Sequence, residues 1–161
     1  MVKWDSLSCR NSVSEDQGFL FELYASTRVE ELNAWGWDAQ QSSAFLKMQF
    51  QAQQASYRNQ FPGCKYQIIL IQGLAVGAML VIRSETAIHL ADIALLPQYR
   101  NQGIGRFLIQ KLLAEATQAL KPVRLQVRQS NRALRLYQRL GFSKVSEQGI
   151  HFLMEWLPSR K

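Results

Sequence analysis

The stretch QYRNQGIGRFL, from Gln98 to Leu108, places two glycines where an amphipathic helix is about to begin. The first N–H groups of a helix have no partner inside it, and they carry the positive end of the helix dipole. Without Cβ atoms at Gly103 and Gly105 a phosphate could approach those groups, and Arg100 and Arg106 would add positive charge. A glycine turn that binds nothing fits the same residues, so the pattern alone leaves two interpretations.

Two other phosphate-binding motifs are excluded at this stretch. A P-loop would end in Gly-Lys followed by Ser or Thr, and no such sequence follows Gly105. A dinucleotide fingerprint would need a further glycine three positions after Gly105, where Leu108 stands.

Composition predicts an ordinary globular domain. The 161 residues carry a formal net charge of +7, from 19 Lys and Arg against 12 Asp and Glu. The basic residues are scattered, which disfavours nucleic-acid binding. The length predicts a single domain over residues 1–161. No signal core and no apolar run of roughly 18 residues is present, so we expect a cytoplasmic protein without a membrane partner. Cys9 and Cys64 lack metal-ligand spacing, so we expect reduced thiols and no metal.

Hydrophobic periodicity predicts an α+β fold in the order β-α-α-β-β-β-α-β-α-β-β. The helix after the glycines joins two strands, which should be parallel neighbours with a right-handed crossover. The expected sheet is mixed and mostly antiparallel, with six or seven strands and about four helices. The predicted helices cover residues 14–32, residues 39–59, a stretch from after Gly105 to near Pro122, and a short segment capped by Ser130 or Asn131 and closed by Gly141. The predicted strands are 7–10, a hairpin around Gln72 and Gly73, 87–96, 123–128, 144–147 and 151–156.

Two segments together resemble one protein family. RNQGIG, residues 100–105, resembles the Arg/Gln-x-x-Gly-x-Gly/Ala signature of the GNAT superfamily of acyl-CoA N-acyltransferases. ALRLYQRLGF, residues 133–142, resembles the second hallmark of that family, an Ala-x-x-Leu-Tyr helix ending in Gly-Phe. One helix and one strand lie between the two segments, as the family requires. The resemblance implies a central parallel strand pair that splays apart, and acetyl-CoA or another acyl-CoA as cosubstrate.

The resemblance also implies which residues bind the cosubstrate. The pyrophosphate would lie on the backbone N–H groups of residues 100–105, and the pantetheine arm would pair like an added strand with residues 93–95. The family usually has an asparagine seven residues before its tyrosine; here that position holds Ser130, and Asn131 follows. The implied contacts are Ile93, Ala94, Leu95, Arg100, Asn101, Gln102, Gly103, Ile104, Gly105, Arg106, Ser130, Asn131 and Tyr137.

Transfer of an acyl group to an amine poses two proton problems. A lysine-like amine has a reference pKa of about 10.4 and arrives protonated, whereas a thiolate of pKa near 8.5 benefits from receiving a proton. Tyr137 matches the tyrosine whose hydroxyl lies near the thioester sulfur in the family, and it is our candidate acid; packing against the cofactor is the alternative role. Asp92 is the first choice for the base, because a carboxylate in an apolar strand is costly to bury unless it is used or paired. His89 and a chain of waters are the other candidates.

The resemblance implies a primary amine as the acceptor, and the sequence does not identify it further. The resemblance implies direct transfer in a ternary complex and, in many members, a homodimer through the C-terminal strands. A non-catalytic acyl-CoA sensor is the alternative function. Trp35 and Trp37 lie beside Glu30, Glu31 and Asp38. They fit either a mobile lid that receives a cationic amine or a loop that tryptophans anchor.

Overall fold

The computed structural model describes residues 6–158 of the chain. These residues form seven strands, five α-helices and two short 3-10 helices. In chain order the elements are β1 (Leu7–Asn11), a 3-10 helix (Ser14–Asp16), α1 (Gln17–Ser26), α2 (Val29–Ala34), α3 (Ala39–Gln60), β2 (Gln67–Ile71), β3 (Leu74–Arg83), β4 (Ile88–Leu95), a 3-10 helix (Pro97–Tyr99), α4 (Ile104–Ala119), β5 (Val123–Arg128), α5 (Ala133–Arg139), β6 (Ser143–Gln148) and β7 (His151–Trp156).

The seven strands belong to one mixed sheet in the order β1-β2-β3-β4-β5-β7-β6. β4 and β5 are parallel, and α4 is the crossover between them. The pairs β1–β2, β2–β3, β5–β7 and β6–β7 are antiparallel. The predicted α+β fold, its parallel pair and the hairpin turn at Gln72 and Gly73 are therefore confirmed; both turn residues have positive φ, as a two-residue hairpin requires.

By their internal contacts the described residues fall into two compact units. The first contains residues 6–79 and 94–100, and its buried side chains include Leu20, Leu46 and Ile68. The second contains residues 80–93 and 101–158. Its core is one cluster formed by α4, α5 and the strands β4, β5 and β7, with Ile88, Ile109, Leu125, Tyr137 and Met154 among its members.

The N-terminal helix differs from the prediction. A single helix over residues 14–32 was expected, but the structure has a 3-10 turn, then α1, then α2, with a break at Thr27 and Arg28. The hydroxyls of Ser26 and Thr27 donate to the carbonyls of Leu23 and Tyr24, both at 2.7 Å. Such side-chain bonds to carbonyls three residues back compete with helix continuation. The helix predicted from the apolar spacing was therefore too long, and residues 6–158 contain five α-helices where about four were expected.

The carboxylate of Asp16 links β1 to the start of α1 through hydrogen bonds. It accepts two hydrogen bonds from the guanidinium of Arg10, at 2.8 and 2.9 Å, and one from the backbone N–H of Val13 at 2.7 Å. These bonds, chiefly those of Arg10, lower the pKa of Asp16 to about 2. Because the pKa is depressed in the folded state, the stabilisation is present above the unfolded pKa near 4 and is lost as pH falls toward 2.

We expect Asp16→Asn to lower the free energy of unfolding at pH 7 by about 1–3 kcal/mol, because it leaves a buried amide beside donors that need an acceptor. Nearly half of the Arg10 side chain is exposed, which keeps the ion pair's own share small. Denaturant unfolding between pH 2 and pH 7 measures the effect. The variant should also lose part of the acid dependence, and the exposed neighbouring change Glu15→Gln should keep it; equal losses in both variants would contradict this role.

Candidate functional site

The loop before α4 has the geometry that the glycine pattern predicts. Asn101 and Gly103 both have positive φ, 61° and 85°, so the chain turns sharply before the helix. Ile104, the first residue of α4, is fully buried and anchors the helix start. The N–H groups of Ile104, Gly105 and Arg106 lie in the first turn, where no partner within the helix exists. An anion would therefore meet a fixed set of backbone donors here.

Gly105 has no structural reason to be glycine. Its φ is not positive, and a Cβ placed on it would meet no atom within 4 Å. Glycine costs a helix about 0.5–1 kcal/mol relative to alanine, so the fold alone would favour a side chain. Gly18, also the second residue of a helix, is equally open and serves as a comparison. At Gly105 the empty space lies at a helix start that a glycine with positive φ precedes, so a phosphate could approach the N–H groups there.

The parallel pair opens soon after it begins. The register of β4 with β5 comprises Ile88↔Val123, His89↔Arg124 and Leu90↔Leu125, although β5 continues to Arg128. Beyond that point, strand β4 carries Asp92. Such an opening offers backbone groups to an extended ligand, as strand addition does in other proteins.

The structure brings the two predicted catalytic residues together. Tyr137 lies on α5 within the core cluster of the second unit, is 6% exposed and packs edge-on against Phe142 with ring centroids 5.7 Å apart. Burial, and next the negative charge of Asp92, raise the pKa of Tyr137 to about 12. The phenol therefore keeps its proton at neutral pH and can act as a hydrogen-bond donor next to a carboxylate.

His89, the alternative base, lies where β4 and β5 are still paired. Its register partner on β5 is Arg124, which forms an ion pair with Glu155 of β7 at 2.8 Å. Burial, and next the charge of Arg124, lower the pKa of His89, so the imidazole is neutral at pH 7. A neutral histidine can accept a proton. Asp92 is the candidate whose charge reaches Tyr137.

The end of β4 belongs to the first unit, where three contacts fix it. Leu96 donates its backbone N–H to the carbonyl of Val76 at 2.9 Å. A Cβ on Gly77 would collide with the carbonyl oxygen of Ala94 and would lie 2.7 Å from Cδ2 of Leu95. The Nε of Arg100 donates to the carbonyl of Leu95 at 2.9 Å, while the backbone N–H of Arg100 donates to Pro97. The side chain of Arg100 is thus directed back at the end of β4.

Asn131 caps α5. Its side-chain oxygen accepts from the backbone N–H of Ala133 at 2.8 Å, while Ser130 is exposed. The helix closes at Gly141, which has a φ of 103°, and a Cβ there would lie only 3.1 Å from the ring of Trp156, so the position requires glycine. The residue directly before α5 is Arg132, which makes no side-chain capping bond, and Asn131 reaches the first N–H of the helix from one residue further back. A cofactor contact from Ser130 stays a prediction.

An aromatic cluster follows α2 in the first unit. The rings of Trp35, Trp37 and Phe45 lie with centroids 5.0–6.0 Å apart, and the two tryptophans are 47% and 39% exposed. Asp38 accepts the backbone N–H of Gln41 at 2.7 Å and so caps α3. The side chains of Glu30 and Glu31 lie outside the part of the chain that the structure describes.

Residues 6–158 contain no group of three His, Cys, Asp or Glu side chains arranged to hold a metal ion. None of their helices is both long and apolar enough to span a membrane. Cys9 and Cys64 are exposed, and no disulfide joins them.

The fold is that of solved N-acetyltransferase structures. It matches the PaiA N-acetyltransferase of Thermoplasma acidophilum, crystallised with coenzyme A, with a TM-score of 0.68 and 18% identity over 94% of this chain and 99% of that one. It matches the ribosomal-protein-S18-alanine N-acetyltransferase of Escherichia coli with a TM-score of 0.63 and 19% identity over 96% of each chain.

Sequence comparison gives the family. The family model described as "Acetyltransferase (GNAT) domain" matches residues 30–159, and the chain therefore belongs to the GNAT acetyltransferases. A curated relative, the [ribosomal protein bS18]-alanine N-acetyltransferase of Haemophilus influenzae, is 39% identical over 57 residues. That match covers 35% of this chain and only 39% of the relative's length.

The sequence analysis did not identify two residues of the first unit that bear on the end of β4, Gly77 and Ser26. Gly77 lies inside a ten-residue strand, and a glycine there signals a close backbone approach, but the sequence does not reveal that the approaching segment is Ala94–Leu95. Ser26 gave no signal, because its partner, the guanidinium of Arg100, is 74 residues away in the chain.

Proposed function

We propose that this chain is an N-acetyltransferase that transfers the acetyl group of acetyl-CoA directly to an amine, and that its two units form one acetyltransferase domain. The observation that carries the proposal is the open first turn of α4, where Gly105 leaves space that the fold itself does not use. Family membership supports an acyl-CoA as the anion that fills this space. The neighbour crystallised with coenzyme A supports the same cofactor.

In the proposed complex the pyrophosphate lies on the backbone N–H groups of residues 101–106. The range expected from the sequence was 100–105, but the N–H of Arg100 already donates to the carbonyl of Pro97. The side chain of Arg106 is exposed and can reach phosphate oxygens, whereas that of Arg100 is bonded to Leu95. The pantetheine arm pairs with the backbone of Ile93, Ala94 and Leu95. Ser130, Asn131 and Tyr137 complete the contacts.

The proposed chemistry needs no covalent enzyme intermediate. The neutral amine nitrogen attacks the thioester carbonyl carbon, the C–N bond forms, and the C–S bond breaks. Asp92, or a water beside it, takes the proton that the amine gives up, and the CoA thiolate leaves with a hydrogen bond or a proton from Tyr137. Since the pKa of Tyr137 is about 12, its proton is in place before every turnover.

We propose a peptide N-terminal amine as the acceptor, in a cytoplasmic setting. The two ribosomal-protein-alanine N-acetyltransferases among the similar proteins support this class. An α-amino group has a reference pKa of about 7.7–8.0, so a large share of it is neutral at pH 8, whereas a lysine side chain is almost wholly protonated. A site whose base is a carboxylate therefore suits an α-amine better than a lysine.

The test is the release of CoA thiol from acetyl-CoA with two matched peptides. One begins with a free alanine and contains no lysine; the other has a blocked N-terminus and one internal lysine. Release with the first peptide and little with the second is expected. Acetyl-CoA binding without transfer to either peptide or to small amines would identify a non-catalytic acyl-CoA sensor, and absence of binding at millimolar acetyl-CoA would refute the proposal.

The aromatic cluster makes a separate prediction about the acceptor. If Trp35 and Trp37 receive a cationic acceptor, Trp35→Ala and Trp37→Ala should each raise the acceptor KM about threefold to tenfold, in line with the strength of a partly exposed cation–π contact. The dissociation constant of acetyl-CoA should stay unchanged. Met48→Ala, which removes another exposed apolar side chain from the same unit, is the control. If the KM of every acceptor stays at the parental value, the two tryptophans only anchor their loop.

A further inference from the structure

Arg100 uses its side chain inside the first unit. Its Nε donates to the carbonyl of Leu95 at 2.9 Å, and its Nη2 donates to the hydroxyl of Ser26 at 3.2 Å. Ser26 in turn donates to the carbonyl of Leu23 at 2.7 Å. One guanidinium therefore joins the last residue of β4 to the last residue of α1.

Leu95 and Ser26 each end a regular element. Leu95 ends β4, and the chain then turns at once through Pro97. Ser26 ends α1, immediately before the break at Thr27 and Arg28. Arginine suits such a task because its planar fork holds two acceptors in fixed directions, whereas a lysine ammonium would hold one at a time.

We propose that Arg100 is a positioning residue that couples the end of β4 to the end of α1. The inference rests on the proposed function, in which residues 93–95 hold the pantetheine arm next to the thioester. Arg100 keeps the Leu95 carbonyl in place through Nε and holds α1 against it through Ser26. Its main effect is on the geometry of transfer and not on the binding of phosphate.

The experiment compares Arg100→Gln, Ser26→Ala and the double variant. We expect Arg100→Gln to lower kcat about tenfold or more, as misplacement of a reacting group does, while the acetyl-CoA dissociation constant changes less than about threefold. Ser26→Ala should lower kcat to a smaller extent, and the double variant should be no worse than Arg100→Gln alone, because the two residues act through one bond. Arg100→Lys should recover only part of kcat.

Thr27→Ala is the matched control. The Thr27 hydroxyl donates to the carbonyl of Tyr24 at 2.7 Å, the same local bond that Ser26 makes with Leu23, and the structure gives it no bond to Arg100. Parental kcat is expected for this variant. A loss equal to that of Ser26→Ala would show that the local bond matters and would overturn the role of Arg100.

A second readout does not depend on turnover. Acetyl-CoA should protect the backbone N–H groups at the end of α1 against hydrogen exchange in the parent, and this protection should disappear in Arg100→Gln. A tenfold weaker acetyl-CoA affinity with unchanged kcat would instead make Arg100 a phosphate ligand and overturn the inference. If the parent does not bind acetyl-CoA at all, the proposed function fails, and that outcome is visible before any variant is made.

Discussion

Gly105→Glu should weaken acetyl-CoA binding at least about 100-fold relative to the parent, which corresponds to roughly 2.7 kcal/mol. The new side chain would occupy the space that no atom of the protein fills, and its carboxylate would repel the pyrophosphate. Calorimetric titration of acetyl-CoA measures the loss. Gly105 is a better target than Gly103, because Gly103 has a φ of 85° and any side chain there adds backbone strain.

The stability of this variant separates binding from folding. A glutamate in the first turn of a helix interacts favourably with the helix dipole, and replacing glycine removes its entropic cost. Gly105→Glu should therefore unfold at the same temperature as the parent or higher. Gly18→Glu makes the same change at the second residue of α1 and should leave acetyl-CoA binding intact. Parental binding by Gly105→Glu would mean that the glycines only form a turn.

Tyr137→Phe should lower turnover about 100-fold while leaving the acetyl-CoA dissociation constant nearly unchanged, as expected for the loss of a general acid. The substitution keeps the ring and its contact with Phe142, so the core cluster should persist. Steady-state kinetics with a saturating acceptor, beside a binding titration, measure the two effects. Tyr57→Phe, on α3, is the control and should turn over like the parent. Unchanged turnover in Tyr137→Phe would leave this tyrosine with a packing role only.

The pKa of Tyr137 also determines how activity and stability depend on pH. Because burial and Asp92 raise the pKa of Tyr137 to about 12, the phenol contributes no loss of activity below about pH 11. Stability linked to this group is complete below the unfolded pKa near 10 and is lost as pH rises through 12. Asp92→Asn should lower the pKa of Tyr137, although burial keeps it above the ordinary value; NMR titration of labelled tyrosine measures the change.

Much of this fold could be predicted from the sequence, because its main signals are local. Gln72 and Gly73 mark the hairpin, and the apolar spacing from Phe107 to Leu120 marks α4. Because α4 joins two strands, it predicts that they are parallel. The break after Ser26 was missed because hydroxyl groups ended a helix whose apolar spacing continued. A weak local competition of this kind has no periodicity to reveal it.

The candidate site likewise has one part that the sequence predicts and another part that it does not. The glycines indicate a backbone arrangement that follows directly in the chain, and the structure shows that arrangement at Gly103 and Gly105. The direction of the Arg100 side chain and the collision that Gly77 avoids depend on residues far along the chain. Ser26 is 74 residues from Arg100 in the chain, and Gly77 is 17 residues or more from the backbone that it lets approach. No local sequence pattern links partners at such separations.

The open helix start also bears on how such a protein can change over generations. Binding of a cosubstrate by main-chain N–H groups depends little on side-chain identity, since every residue except proline supplies the same donor. The exposed side chains of Asn101, Gln102 and Arg106 can then vary while the glycines stay. Under the proposed function, mutations at Trp35 and Trp37 could redirect the enzyme to a new amine without rebuilding the part that captures acetyl-CoA.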